Sequence, residues 1–180
     1  MFTDENLYEH FWNGEKIAAD ELVHRHGDIL VLFLNSYVKD IHEAEDLMIE
    51  AFALMFVKRR PVSEDGSFRA YLYKTARRLA GKAIKKHRIH IGLEELPFEL
   101  PGEVLADTNL FENERKKQLY EAMEELKPEY QEALYLVYIE DMSYRDTAEV
   151  MGRSESQIKN LVNRGKKSLK EILRKNGFEY

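Results

Sequence analysis

Cysteine, proline and long apolar runs are scarce in this chain of 180 residues, and each scarcity excludes a class of protein. The absence of cysteine excludes disulfides and thiolate metal sites, and it favours a reducing compartment, the cytoplasm. The longest apolar run, residues 29–34, has six members, whereas a membrane-spanning helix needs about 20. No basic segment followed by an apolar one opens the sequence, so neither a secretory leader nor a membrane span is expected.

The pattern of apolar residues favours an all-α fold. Only four prolines are present, and runs that alternate apolar and polar residues are missing. In the second half of the chain, a helix is expected from about Asn109. A further helix is expected to begin at Lys127-Pro128, because proline suits the first turn of a helix. In the first half of the chain, apolar residues at helical spacing predict helices over residues 6–12, 17–38, 42–59 and 67–88.

The helical pattern breaks between residues 89 and 107, where Gly92, Pro97, Pro101 and Gly102 lie among acidic residues. We interpret this stretch as a flexible acidic linker. The sequence therefore predicts two small helical domains, residues 1–90 and 109–180, joined by a linker over residues 91–108.

The net charge of −6 conceals four blocks of alternating sign. Residues 69–90 carry eight basic side chains and no acidic one, and residues 153–175 carry eight basic against two acidic. The stretches before and between them are net acidic. Since local potential rather than net charge decides where a polyanion docks, two basic helices indicate two contacts with nucleic acid. Solvated helix faces are the alternative, but they do not account for a stretch without any acid.

Two helix starts of one type lie eleven residues apart near the end of the chain. Ser143 and Ser154 each begin a capping-box pattern, and Gly152 between them permits a tight turn. A short helix, a turn and a second helix form the helix-turn-helix that reads DNA. An ordinary helical hairpin is the alternative, and the basic charge of the second helix favours DNA.

The predicted helix over residues 67–88 mixes aromatic and basic side chains. That mixture suits melted or single-stranded nucleic acid, because cations follow the phosphates while rings stack on exposed bases. Packing into the helical bundle is the alternative, and for Phe68 it is the preferred reading. The candidate contacts are Ser67, Phe68, Arg69, Tyr71, Tyr73, Lys74, Arg77, Arg78, Lys82 and Lys85.

Motifs for enzyme chemistry are missing, so we expect neither a catalytic residue nor a cofactor. The two histidine clusters, residues 24–26 and 87–90, have no acidic partner at a metal-ligand spacing, and residues 42–46 lack the second histidine of a zinc helix. No glycine-rich phosphate loop or nucleophile elbow is present.

Taken together, the motifs resemble a bacterial RNA polymerase sigma factor of the extracytoplasmic-function type. In the first half the resemblance rests on Ala44–Phe52 and Gly66–Arg77, and in the second half on Leu126–Leu134, Met142–Gly152 and Ser154–Lys159. A single helix-turn-helix is weakly specific. Both blocks in this order and at this separation are strongly specific.

The resemblance implies that the first domain corresponds to sigma region 2, which binds the β′ clamp helices of the polymerase core and opens the minus-ten element. The polymerase-binding residues would be Glu43, Asp46, Leu47 and Glu50. The loop over residues 61–67 lies where the family captures a flipped base, and the basic helix after it would hold the melted strand.

The second domain would correspond to sigma region 4, which contacts the β flap and reads the minus-thirty-five element as duplex. Gln157 or Asn160 could pair with adenine, while Arg164 or Lys159 could reach guanine or phosphate. An anti-sigma factor is a further candidate partner. The implied DNA contacts are Ser154, Ser156, Gln157, Lys159, Asn160, Asn163, Arg164 and Lys167.

Some positions depart from the family pattern. Ile49 replaces a glutamine in the clamp-binding block, and Arg78 and Lys82 replace asparagine and aspartate, which makes the strand-binding helix more basic. Leu161 lies where arginine often contacts DNA. Gly165 replaces an alanine, at a cost of about 1 kcal/mol in helix propensity.

A stand-alone helix-turn-helix regulator is the rival interpretation. It accounts for residues 109–180 but leaves the first domain without a role. Such a regulator would bind duplex DNA tightly by itself, whereas a sigma factor needs the polymerase core.

Overall fold

The computed structural model describes residues 2–59, 67–87, 96–100 and 114–177, and the regular structure in these ranges is helical throughout. The described helices of the first half are α1 Asp4–Trp12, α2 Ile17–Val38, α3 Ile41–Val57 and α4 Phe68–His87. Those of the second half are α5 Glu114–Glu124, α6 Pro128–Leu134, α7 Tyr144–Met151 and α8 Glu155–Lys175. The all-α prediction is confirmed.

Short polar side chains fix where several helices begin. Thr3 accepts a hydrogen bond from the Asn6 N–H, and Asp40 accepts from the N–H groups of His42 and Glu43. The Asp40 cap starts α3 at Ile41, one residue before the predicted start. Each cap provides a partner for backbone donors that lack one in the first turn of a helix.

Helix α2 lies at the centre of the first domain, in contact with α1, α3 and α4. Its second half is apolar on most sides, and Leu30, Phe33 and Leu34 are fully buried. Tyr8 on α1 donates its hydroxyl to the Met55 carbonyl at 2.9 Å, and its ring lies 5.3 Å from that of Phe68. These contacts fix α3 and α4 around one core.

In the second domain, α8 packs across α6 and α7. A π-helical turn, Tyr135–Ile139, continues α6. It ends at Glu140, whose side chain is only 3% exposed and faces the first domain. A single π-turn of this kind is uncommon and is often found at functional positions.

The middle of the predicted linker differs from a free tether. Residues 96–100, which we call the strap, pack between the two domains with Leu96, Phe98 and Leu100 buried. The spacing of these three apolar residues explains their burial, because side chains at every second position of an extended segment point to the same side. The two domains consequently share one hydrophobic core.

Some predicted features lie outside the described residues. They include the loop over residues 61–66, the helix ends predicted at residues 88 and 109, and the linker except for the strap.

Candidate nucleic-acid interface

The helix-turn-helix has the two helices and the turn that its sequence predicts, and the capping box expected at Ser154 is complete, whereas at Ser143 only the bond to the serine is seen. Ser143 caps α7 by accepting from the Asp146 N–H, and Gly152 takes a left-handed conformation with φ 66°. Ser154 and Gln157 then form a complete capping box: Gln157 N–H donates to the Ser154 hydroxyl, and Ser154 N–H donates to the Gln157 side-chain oxygen at 2.8 Å. The start of α8 is therefore rigidly placed.

All the side chains proposed to contact duplex DNA are exposed on α8 or at its cap: Ser154, Ser156, Gln157, Lys159, Asn160, Asn163, Arg164 and Lys167. Buried Ile158, Leu161 and Val162 hold the opposite face against the domain. This arrangement presents one polar, basic surface that fits a major groove. Which of these side chains contact bases stays a prediction.

Two departures from the family pattern have structural reasons. Leu161 is 7% exposed, so it belongs to the domain core and does not face the polar surface of α8. Gly165 lies in a tight contact between α8 and α6, since a Cβ there would meet Leu134 at 3.2 Å and Tyr130 at 3.3 Å. The missing methyl group allows the close approach of the two helices.

The predicted strand-contacting residues on and beside the basic helix α4 fall into three groups by their exposure. Arg78, Lys82 and Lys85 are exposed, and Lys86 next to them is exposed as well. Phe68 and Tyr73 are fully buried, and Arg77 is 6% exposed. Ser67, Arg69, Tyr71 and Lys74 are half-buried. Only the first group is fully open to nucleic acid in this arrangement.

Arg77 is buried because it pairs with Glu132 of the second domain. Its guanidinium donates to both carboxylate oxygens, at 2.6 and 3.2 Å, and Tyr37 donates its hydroxyl to the same carboxylate at 2.7 Å. Burial is the largest single influence and lowers the pKa of Arg77, but the Glu132 charge, Tyr37 and the hydrogen bonds to both together outweigh it and raise that pKa above its ordinary value. Removing one partner would leave a buried charge unpaired, which costs about 3–5 kcal/mol.

Glu140 makes a second contact of this kind. It accepts hydrogen bonds from Arg69 and from the Tyr73 hydroxyl, the latter at 2.8 Å. Burial raises the pKa of Tyr73 well above its ordinary value, and the Glu140 charge raises it further. Tyr73 therefore remains protonated and donates at any ordinary pH. Lys74 lies 3.3 Å from Glu149 on α7 in a partly exposed pair.

The predicted polymerase-binding residues lie on α3. Asp46 and Glu50 are exposed and Glu43 is half-buried, whereas Leu47 is 8% exposed and packs into the core. The sequence reasoning missed the apolar part of this surface. Leu54 and Val57 are 44% and 74% exposed, and Ile49 is 61% exposed. The sequence could have indicated this exposed apolar surface, because the three residues lie outside the buried stripe of α3.

No three histidine, aspartate or glutamate side chains converge on a metal-sized site within the described ranges. Among the helices of those ranges, none combines the length and the apolar character needed to cross a membrane.

Comparison with known families assigns both halves of the chain. Residues 22–89 match the model of Sigma-70 region 2, and residues 116–169 match that of Sigma-70, region 4. The matches contain α4 and the helix-turn-helix, and they follow the order in which the sequence motifs occur.

Curated relatives support the same assignment. The ECF RNA polymerase sigma factor SigM of Bacillus subtilis is 27% identical over 165 residues, which cover 87% of this chain and 95% of that protein. The ECF RNA polymerase sigma factor SigE of Mycolicibacterium smegmatis is 28% identical over 166 residues, or 89% of this chain. The match covers 63% of that longer relative.

Solved structures with the same fold include CnrH in complex with the cytosolic domain of CnrY. That chain has a TM-score of 0.63 and 19% identity, with 95% of this chain and 97% of CnrH covered. The sigma factor RpoE in complex with the anti-sigma factor NepR from Bartonella quintana has a TM-score of 0.60 and 18% identity. Coverage there is 86% of this chain and 96% of RpoE.

Proposed function

Because the chain belongs to the extracytoplasmic-function subfamily of bacterial sigma factors, we propose that it binds the RNA polymerase core and directs promoter recognition, promoter opening and transcription initiation. One observation carries the proposal: a region 2 block and a region 4 block occur in family order in one chain. A protein of this function works where the polymerase is, in the cytoplasm, and its part in initiation is not catalytic.

We assign strand opening to α4. Its exposed cations Arg78, Lys82 and Lys85 form a row on the side of the helix that faces away from the core. Cations in such a row contact successive phosphates of a single strand without reading its sequence. The half-buried Tyr71 lies on the same helix and provides a ring for base stacking.

We assign duplex reading to α8. Its exposed amide side chains can meet base edges of the minus-thirty-five element, and Arg164 and Lys167 can reach phosphates or guanine. Base contacts of this kind specify the sequence, whereas phosphate contacts position the helix.

The outer surface of α3 is the proposed docking site for the β′ clamp helices. It combines the carboxylates of Asp46 and Glu50 with exposed Ile49, Leu54 and Val57. An apolar patch with an acidic rim is typical of a protein interface, where the apolar part contributes affinity and the charges direct association. The second domain is proposed to contact the β flap, and an anti-sigma factor remains a candidate partner.

Transcription in vitro with bacterial core polymerase on a promoter library tests the proposal. With the chain present, we expect transcripts from a small set of promoters with shared minus-ten and minus-thirty-five sequences. A stand-alone regulator would instead bind duplex DNA tightly without core and leave the core inactive on every promoter. That result would replace the sigma-factor proposal by its rival.

A further inference from the structure

Helix α1 lies before the residues that match region 2, and it contacts both ends of the connection between α3 and α4. This connection comprises residues 58–67, and the structure describes its two ends. Glu9 of α1 lies 2.8 Å from Arg59, just after the end of α3. Glu5, one turn earlier on α1, accepts a hydrogen bond from the Phe68 N–H at 3.1 Å, at the start of α4. Two carboxylates one helical turn apart therefore hold the two ends of one connection.

The bond from Glu5 gives α4 an acceptor that its own sequence does not provide. The first amides of a helix have no acceptor inside the helix. Ser67 is the local cap, since its hydroxyl accepts from the Ala70 N–H. The Phe68 N–H is bound instead by a side chain that is 63 residues away in sequence. A carboxylate at this position also faces the positive end of the helix dipole. Glu5 thereby determines where α4 begins relative to α1.

Aromatic contacts hold α1 in place against the same two helices. Tyr8, which is fully buried, donates its hydroxyl to the Met55 carbonyl in the last turn of α3. The Phe11 ring lies 4.6 Å from that of Phe56, in the same turn of α3. On the other side, the Tyr8 ring lies 5.3 Å from the Phe68 ring at the start of α4. The two carboxylates of α1 therefore project from a fixed support.

The pair of Glu9 with Arg59 affects position more than stability. Its side chains are 45% and 53% exposed, and ion pairs at such exposed positions contribute little to folding. The pair nevertheless holds the residue from which the chain leaves α3. Fixing both ends of a chain segment reduces the conformational entropy that the segment loses when it binds a ligand. Removal of the two carboxylates should therefore affect binding near the connection more than the stability of the domain.

We infer that Glu5 and Glu9 are positioning residues for strand binding: from α1 they fix the first turn of α4 and the chain that enters it. They act through Phe68 and Arg59, not by contact with the strand. The inference rests on the proposed function of α4, since the half-buried Tyr71, proposed to stack on a base, lies in the first turn of that helix. Displacement of this turn would misplace the ring, and a misplacement of about 1 Å can cost up to about a hundredfold in rate.

The test removes the two carboxylates together, in Glu5→Ala with Glu9→Ala. A conservative pair, Glu5→Gln with Glu9→Gln, keeps a side-chain oxygen that can accept each of the two hydrogen bonds. The matched control is Asp4→Ala, which shortens a neighbouring carboxylate of α1 whose side-chain partners in the described structure both lie on α2. Every variant keeps the buried Leu7 and Tyr8, which attach α1 to the domain.

Four measurements on the full chain separate positioning from stability. Hydrogen exchange followed by NMR on the free chain reports whether the Phe68 amide keeps its acceptor. On the holoenzyme, a fluorescent adenine analogue in the minus-ten element reports the rate of promoter opening. Binding of the holoenzyme to a duplex minus-thirty-five fragment reports recruitment. Thermal unfolding of each variant then shows whether a loss of opening follows a loss of stability.

In the alanine pair, we expect the Phe68 amide to exchange about tenfold faster or more, because it has lost its acceptor. Promoter opening should be about tenfold slower. Binding to the duplex fragment should stay within about twofold of the unaltered chain, since α8 is unchanged. The glutamine pair should restore both amide protection and opening. Asp4→Ala should lower the melting temperature and open promoters at the rate of the unaltered chain.

Opening at the unaltered rate in the alanine pair would overturn the inference. An equal slowing in Asp4→Ala would also overturn it, because stability alone would then account for the loss. The same holds if the glutamine pair stays as slow as the alanine pair, or if the exchange of the Phe68 amide does not change. Failure of the proposed function gives a different result: the unaltered chain would open no promoter with core, while amide exchange would still report the contact between Glu5 and α4.

Discussion

Single side chains decide how α1 attaches to α2. Asp4 accepts a hydrogen bond from His26 at 2.7 Å and lies 3.3 Å from Arg25. The hydrogen bond from His26 is the main reason that the pKa of Asp4 falls below its ordinary value of 3.8, and burial opposes it. A carboxyl group with a lowered pKa stabilises the fold above its ordinary pKa, and that contribution is lost as the pH falls through the folded-state pKa.

We therefore expect Asp4→Asn to lower the melting temperature at pH 7, and we expect this effect to shrink as the pH is lowered below 3.8, the ordinary pKa of the carboxyl group. Thermal unfolding followed by circular dichroism over this pH range checks it. Asp28→Asn, at an exposed position in the interior of α2, is the matched control, with no change expected over the same pH range. An Asp4→Asn effect that stays the same size as the pH falls would show that the charge of Asp4 does not stabilise the fold.

The capping box distinguishes the two amides proposed to read adenine. The side-chain oxygen of Gln157 already accepts from Ser154, whereas the exposed Asn160 has no such bond in the described structure. A bidentate contact with adenine needs both the oxygen and the amino group of an amide. Asn160 can offer both without disturbing the start of the helix.

We accordingly expect Asn160→Ala to reduce discrimination at one base position by about 1–3 kcal/mol. Gln157→Ala should instead lower thermal stability by a few tenths to about 1 kcal/mol, as loss of a cap does, with sequence preference nearly retained. Binding of the holoenzyme to promoters substituted at each minus-thirty-five position measures both effects. The reverse pattern would assign base reading to Gln157.

At the scale of elements, α3 and α4 present opposite charges to different proposed partners. Asp46 and Glu50 lie on the exposed side of α3, and Arg78, Lys82 and Lys85 lie on the exposed side of α4. Neither set supports the core of the domain, so charge reversal at either one should leave the fold intact. The two sets of charge reversals should therefore impair different steps, polymerase binding for α3 and strand opening for α4.

On α3, we expect Asp46→Lys with Glu50→Lys to weaken binding to the core by about tenfold or more, chiefly by slowing association. Titration of labelled core with the chain measures it. Asp20→Lys with Asp28→Lys makes the same charge change on exposed positions of α2 and should leave core affinity unchanged. Equal losses of core affinity in both variants would show that the net charge of the chain, and not the α3 surface in particular, determines binding to the core.

On α4, we expect Arg78→Glu, Lys82→Glu and Lys85→Glu together to impair promoter opening far more than recruitment to closed promoter DNA. The reason is that these cations are assigned to the melted strand, while the duplex is held by α8. Permanganate reactivity of unpaired thymines reports opening, and holoenzyme binding to a duplex reports recruitment. A parallel loss of both would contradict this division of roles.

The elements show how far sequence reasoning reaches. Helical periodicity and caps predicted most helix bounds to within a few residues, because those signals are local: Ser154 and Gln157 need only each other. The strap was not predicted, since Phe98 is buried only through rings of two different domains. The burial of Arg77 likewise depends on Glu132, which is 55 residues away in sequence. Contacts between distant segments leave no periodic signal.

At the scale of the whole molecule, two DNA-binding surfaces lie on two domains that share one core in the free chain. The family assignment and the all-α fold are confirmed, while the domain boundaries and the residue contacts with DNA and polymerase stay predictions. Under the proposed function, the chain acts on a promoter only together with the core, to which the outer surface of α3 is proposed to bind. The central claim is therefore that promoter opening requires the chain and the core together.

Strand separation at a selected promoter tests this claim most directly. A fluorescent adenine analogue in the minus-ten element brightens when its base unstacks, and the signal is recorded with core alone, with the chain alone and with both. We predict an increase only when both are present. Opening by the chain alone, or no opening by the pair on any promoter of the library, would contradict the account.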